Sequence, residues 1–306
     1  MIEGSATLWN SGGRRLFFGF AVASLIAVAA GAIALRVTGH PPGSWLRNPV
    51  AWLVGVLLAV GLMRLRASLA LSRATLAIAL VAVAGSFLAP AQQGVHRWID
   101  LGPLHINVAA LLLPAAVVAL AFCGIWSRTG VAFVAAAAAL LVLQPDASQT
   151  TSFLVAVIIL LSGSIAPRAR RLAGIAMALV VVAIAWIRPD PLQPVAEVEG
   201  IFPLAFTVSP LLAAAAALAS VAASLAPLAI GNAAPATRRL AAQALTGYFI
   251  SVAACAAFGA FPVPLVGLGM SFPVGYWIGL ALLCAKGNLI QHGPNQSAPA
   301  SSMSSI

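Results

Sequence analysis

Charge is what this chain has least of. Asp, Glu, Lys and Arg together make up 7% of its 306 residues, where a soluble domain carries about a quarter. With 62% hydrophobic residues, a water-soluble fold is excluded and an integral membrane protein is implied. Acids are scarcer still: six, against sixteen basic residues, for a net charge of +10. Such a balance in a soluble chain would suggest nucleic acid as a partner. Here the basic residues form no single patch but short clusters between apolar runs, as membrane topology signals do, so nucleic acid is set aside. Three cysteines, Cys123, Cys255 and Cys284, all lie inside apolar runs. Their spacing suggests neither a metal site nor a disulfide, and buried thiols are expected. The alternation of a membrane barrel is also missing. Backbone groups in lipid must be satisfied within the segment, so helices follow.

Segments of about 20 apolar residues are needed to cross a bilayer. Ten candidates are expected, at roughly 16–36, 49–65, 70–89, 106–126, 129–144, 150–166, 172–188, 202–230, 240–261 and 265–285. The second, fifth, sixth and seventh are short. The eighth is long, with Pro203, Pro210 and Pro227 placed to bend it or trim its ends. The first run, after Arg14 and Arg15, is too long for a signal-peptide core and reads as a spanning helix. The fold class is therefore all-α and polytopic, with residues 1–15 a cytoplasmic segment, 16–286 the transmembrane domain and 287–306 a disordered cytoplasmic tail.

Charge orients the spans. With the N-terminus in the cytoplasm, twelve of the sixteen basic residues fall on the cytoplasmic side, and only Arg36, Arg47, Arg97 and Arg188 fall outside. That bias selects this orientation, with both termini cytoplasmic. Glu3 is then inside, while Asp100, Asp146, Asp190, Glu197 and Glu199 are all outside.

Four polar segments interrupt the apolar pattern. In Gly94–Asn107, Trp98 suits headgroup depth. Arg97 is placed to meet a lipid phosphate or to pair with Asp100. His96 and His105 flank them at no standard metal spacing. In Gln144-Pro145-Asp146, Pro145 ends a helix and Asp146 is suited to cap the next. Gly259–Tyr276 reads as a Pro/Gly-broken helical hairpin of the kind that lines a cavity. Arg188-Pro189-Asp190-Pro191 opens an outer loop that also carries Glu197 and Glu199.

These segments resemble the SEDS family (FtsW/RodA/SpoVE), polytopic proteins that polymerise lipid II into glycan strands. The first segment matches in register at Gly94, Arg97, Trp98, Ile99, Leu101 and Gly102. Gln144-Pro145-Asp146 matches the family's Q-P-D turn, followed here by Ala147, Ser148 and Gln149 in place of Leu-Gly-Thr. Pro262, Pro264, Leu265 and Gly269 fit the turn before the last helix, without its Ser-Tyr-Gly-Gly-Ser portion. Asp190 with Pro191 matches the Asp-Pro of the long outer loop, which is much shorter here. Where the family carries Glu and Lys at the start of the next helix, this chain reads Asn107 to Leu113 without charge.

The resemblance implies a role in peptidoglycan synthesis, in cell shape or division, in the bacterial inner membrane. It implies a lipid II glycosyltransferase with Asp190 as catalytic base. Arg97, Trp98, Asp100, Asp146 and Arg188 would form the substrate-binding set. A lipid-linked precursor and a class B penicillin-binding protein are the implied partners, beside membrane lipid. A non-catalytic scaffold or precursor binder, and a flippase or transporter, are the competing functions. Apart from Arg36 no ionisable residue lies well inside a span, which disfavours ion-coupled transport. No cofactor or metal ligand set is visible; a divalent cation suits the chemistry, but nothing in the sequence shows one.

Overall fold

The structure is a computed structural model that describes residues 11–102 and 104–286. Among the described residues twelve α-helices follow in chain order: α1 (Ser11–Val37), α2 (Pro42–Trp45), α3 (Arg47–Leu62), α4 (Leu69–Gly85), α5 (Val108–Cys123), α6 (Arg128–Leu143), α7 (Ala147–Ser162), α8 (Arg168–Ile187), α9 (Ile201–Val208), α10 (Pro210–Leu225), α11 (Ala236–Phe258) and α12 (Ser271–Cys284). Between α4 and α5 lies an antiparallel hairpin of β1 (Trp98–Leu101) and β2 (Leu104–Asn107), in the register Trp98 to Asn107 and Asp100 to His105. The all-α, polytopic class holds. The expected tail at 287–306 and the first ten residues lie outside the described residues.

Among the described residues, six segments are long and apolar enough to cross a membrane: Gly12–Val37, Pro42–Leu62, Leu69–Leu88, Arg168–Ile187, Pro210–Ile230 and Ala236–Phe258. Four further apolar helices are shorter, with 16 residues in α5, α6 and α7 and 14 in α12. Sixteen helical residues reach about 24 Å, less than the roughly 30 Å of a bilayer core. Length alone therefore supports six of the ten expected spans. The expected short second and seventh spans are corrected to 21 and 20 residues. Pro49 falls in the first turn of α3, where no backbone donor is required, so it does not end the helix. Arg168, Arg170 and Arg171 extend α8 instead of preceding it. The long eighth run breaks where expected. Ser209 is extended between α9 and α10, its Oγ accepting from Leu211 N at 3.2 Å, and Pro210 starts α10.

The short helices α5, α7 and α12 are the most buried. α12 lies directly on α5 because Gly275 and Gly279 face it. A Cβ at Gly279 would stand 2.8 Å from Pro114 Cβ, and one at Gly275 would strike the Ala110 carbonyl. This small-xxx-small spacing lets two backbones approach without a hydrophobic drive from water.

The two ends of the bundle differ in chemistry. At one end, Lys286 N donates to Leu65 O, Ala67 N to Lys286 O, and Arg238 to Ala285 O at 2.9 Å. At the other end the turn after α1, the hairpin, Gln144–Asp146, the 188–200 loop and the 259–270 turn converge. All five acids among the described residues are in this second group. By the charge bias it is the outer end.

Candidate functional site

Arg97 is the hub of the acidic end. It is 4% exposed, so its charge must be answered by protein. One Nη2 hydrogen bond runs to Asp190 Oδ2 at 2.6 Å and another to Pro145 O at 2.5 Å. Nε donates to Gln144 O at 3.3 Å and lies 3.5 Å from Asp146 Oδ2. Two segments distant in sequence are thus fastened to one guanidinium, whose planar fork suits several acceptors at once.

Each partner is itself fixed. Asp146 caps α7 through Oδ1, accepting from Gln149 N at 3.0 Å, as its position after Pro145 led us to expect. Gln144 donates to Ser86 Oγ at 2.6 Å, and Ser86 donates to His96 O at 2.8 Å. The carbonyl oxygen Oε1 of Gln144 is buried without a partner among the described residues. Asp190 Oδ1 accepts from Leu192 N at 3.2 Å. Asn48, at the start of α3 and buried, clasps the 259–270 turn. It donates to Leu265 O and Gly267 O at 3.1 and 2.7 Å and accepts from Gly269 N at 2.9 Å. Leu265 sits at φ 67°, a left-handed conformation that a branched side chain seldom adopts. The Asn48 clasp holds that strain in place.

Arg97 and Asp190 open on a cavity of about 270 Å³. Trp98, His105 and Asn107 form its hairpin side, Arg47 stands at the α3 side, and Gln92, Gln193, Glu199 and Ser271 complete its polar lining. Burial pushes the Glu199 carboxyl above the usual glutamate range, and the nearby Asp190 charge adds to the rise. Its Oε2 accepts from Val195 N at 2.7 Å. Glu197 is held below that range, first by hydrogen bonding to its own backbone N–H and then by His40, whose Nε2 lies 2.7 Å from Glu197 Oε1. Among the described residues, no three His, Cys, Asp or Glu side chains gather closely enough to hold a metal.

Arg97, Trp98 and Asp190 come together in the cavity wall, and Asp146 braces Arg97 from behind it. Two expectations change. Asp100 does not pair with Arg97. The two are three residues apart, an odd spacing that puts them on opposite sides of a strand. Asp100 pairs instead with His105 directly across the hairpin, and His105 stacks on Trp98 at 5.1 Å. Arg188 is exposed and outside the cavity lining. Sequence reasoning missed Arg47, a partly buried cation with no ion pair or side-chain hydrogen bond among the described residues. Its one visible signal is membership of the four basic residues on the acidic side.

No family model matches the chain, and neither does any curated protein. Solved structures do match. The Thermus thermophilus rod shape determining protein RodA is 21% identical, over 87% of this chain and 94% of that one, with a TM-score of 0.62. The chain has the fold of RodA. An aspartate-to-alanine variant of that RodA gives 20% identity, 87% and 95% coverage and a TM-score of 0.61. A chain from a peptidoglycan synthase complex, solved to follow how polymerisation and crosslinking are coordinated, gives 22%, 87%, 96% and 0.61. The resemblance carried by the motifs thus extends to the fold.

Proposed function

We propose that this chain is a short, divergent SEDS protein of peptidoglycan synthesis in the bacterial inner membrane, acting as a lipid II glycosyltransferase. The observation that carries the reading is the Arg97–Asp190 pair in the wall of an outer-end cavity, within a fold shared with RodA. Asp190 is the base that takes the proton of the attacking sugar hydroxyl. The undecaprenyl pyrophosphate leaves as the new glycosidic bond forms. Arg47 has no protein counter-ion among the described residues and supplies positive charge where the leaving group develops its negative charge. It answers for the family's missing Lys near the start of α5. Arg97 holds Asp190 in place, and Trp98 with His105 forms the rim. A class B penicillin-binding protein is the expected partner.

A second reading, a non-catalytic binder of the lipid-linked precursor, is favoured by one observation. Both Asp190 oxygens already accept hydrogen bonds. Lipid II polymerisation by the purified protein, with and without a co-purified class B penicillin-binding protein, separates the two. The glycosyltransferase reading expects glycan strands that vanish in Asp190→Ala and persist in Arg188→Ala. Absence of strands from folded wild-type protein in both conditions selects the binder.

A further inference from the structure

The opposite, arginine-rich end holds a second cavity of about 800 Å³. The α5–α6 turn, the α7–α8 turn and the first turns of α11 enclose it. No acid lines it, because all the described acids lie at the other end. Arg170 makes no ion pair or hydrogen bond among the described residues. Its guanidinium carbon lies 4.3 Å from the centroid of the Trp126 ring. Trp126 is itself fixed: Nε1 donates to Ser164 Oγ at 3.0 Å, and Ser164 donates to Leu161 O at 2.7 Å. Arg239, also in the lining, spends one nitrogen on Asn232 O and Ala234 O at 3.0 and 2.6 Å. Its other nitrogens make no bond among the described residues. Leu160 and Leu240 give the cavity an apolar wall.

Two arginines without a counter-ion attract an anion, and planar guanidinium groups match phosphate oxygens in pairs. Trp126, in the turn between two apolar helices, suits headgroup depth. Basic pockets between helices at a cytoplasmic face bind anionic headgroups. The apolar wall accepts the first carbons of an acyl chain, which a free phosphate would leave wet. We propose that this cavity binds the phosphate of an anionic phospholipid, gripped by Arg170 and Arg239 with Trp126 as platform. The site is independent of the glycosyltransferase reading.

The test is native mass spectrometry of the full-length protein in detergent, titrated separately with short-chain phosphatidylglycerol, short-chain phosphatidylcholine and inorganic phosphate. Phosphatidylglycerol should bind about tenfold or more tighter than phosphatidylcholine. Arg170→Gln should weaken it at least about fivefold. Arg36→Gln removes an arginine that stacks over Trp45 at 5.5 Å at the other end, and should leave the affinity unchanged. Gln243→Glu, which places a carboxylate in the cavity, is a second variant and should weaken binding in the same direction. Competition by phosphate would show that the anion alone suffices; no competition would show that the lipid chains contribute. Either result supports the site when the variants act as stated. Equal binding of the two lipids, or equal effects of Arg170→Gln and Arg36→Gln, would overturn the proposal.

Discussion

The two ends of this molecule neutralise charge in opposite ways. At the acidic end polar side chains answer one another: Arg97 with Asp190 and Asp146, and His40 with Glu197, across long stretches of chain, and Asp100 with His105 across the hairpin. At the other end arginines rest on carbonyl oxygens or an indole face, with no acid among the described residues. Internal pairing fixes geometry, which suits a site that positions reacting groups. Unanswered charge is open to a ligand. The same side chain therefore serves as a structural hub at Arg97 and as a waiting cation at Arg170, according to whether acids share its end of the bundle.

The largest break in this comparison is Arg97→Ala. It leaves Asp146 and Asp190 without their buried cation, at a cost of about 3–5 kcal/mol. Thermal unfolding in detergent should fall by on the order of 10 °C. Asn48→Ala comes next. It orphans two carbonyls and one N–H of the 259–270 turn, for about 2–3 kcal/mol, and faster hydrogen exchange should appear there first.

Glu197→Gln is smaller. The Glu197 pKa is lowered in the folded state, so its contribution is present above about pH 4.3, the ordinary glutamate value, and is lost as pH falls through the lower folded value. The variant should melt no more than about 3 °C below wild type at pH 7, with the gap closing under acid. Arg170→Gln sharpens the contrast from the other side. With only its stacking on Trp126 to lose, it should change stability by no more than about 1 kcal/mol in lipid-free detergent.

How much of this was legible in the sequence depended on whether the signal was local. The helices follow from apolar runs, the α9–α10 break from Pro210, and the α7 cap from Asp146 after Pro145. Arg97 and Asp190 were each visible as motif residues, but their pairing spans 93 positions, and no local rule joins them. Pairing with Asp100, one of two partners open to Arg97 in the sequence, is not made because the 94–107 segment folds as a hairpin. There the cross-strand neighbour wins over the sequence neighbour. Arg47 was hidden because a lone arginine at a helix start has no pattern around it; only the fold sets it in the cavity. Likewise, nothing in Asn48 itself announces the turn it clasps more than 200 residues away.

On the proposed function, two carboxylates that share one arginine do different work. Lipid II polymerisation by Asp190→Asn and Asp146→Asn, at matched amounts of folded protein, tests this most directly. We expect Asp190→Asn to melt near wild type and make no glycan, and Asp146→Asn to melt earlier yet still make strands while folded. Equal glycan synthesis by the two variants would contradict the assignment of Asp190 as the base.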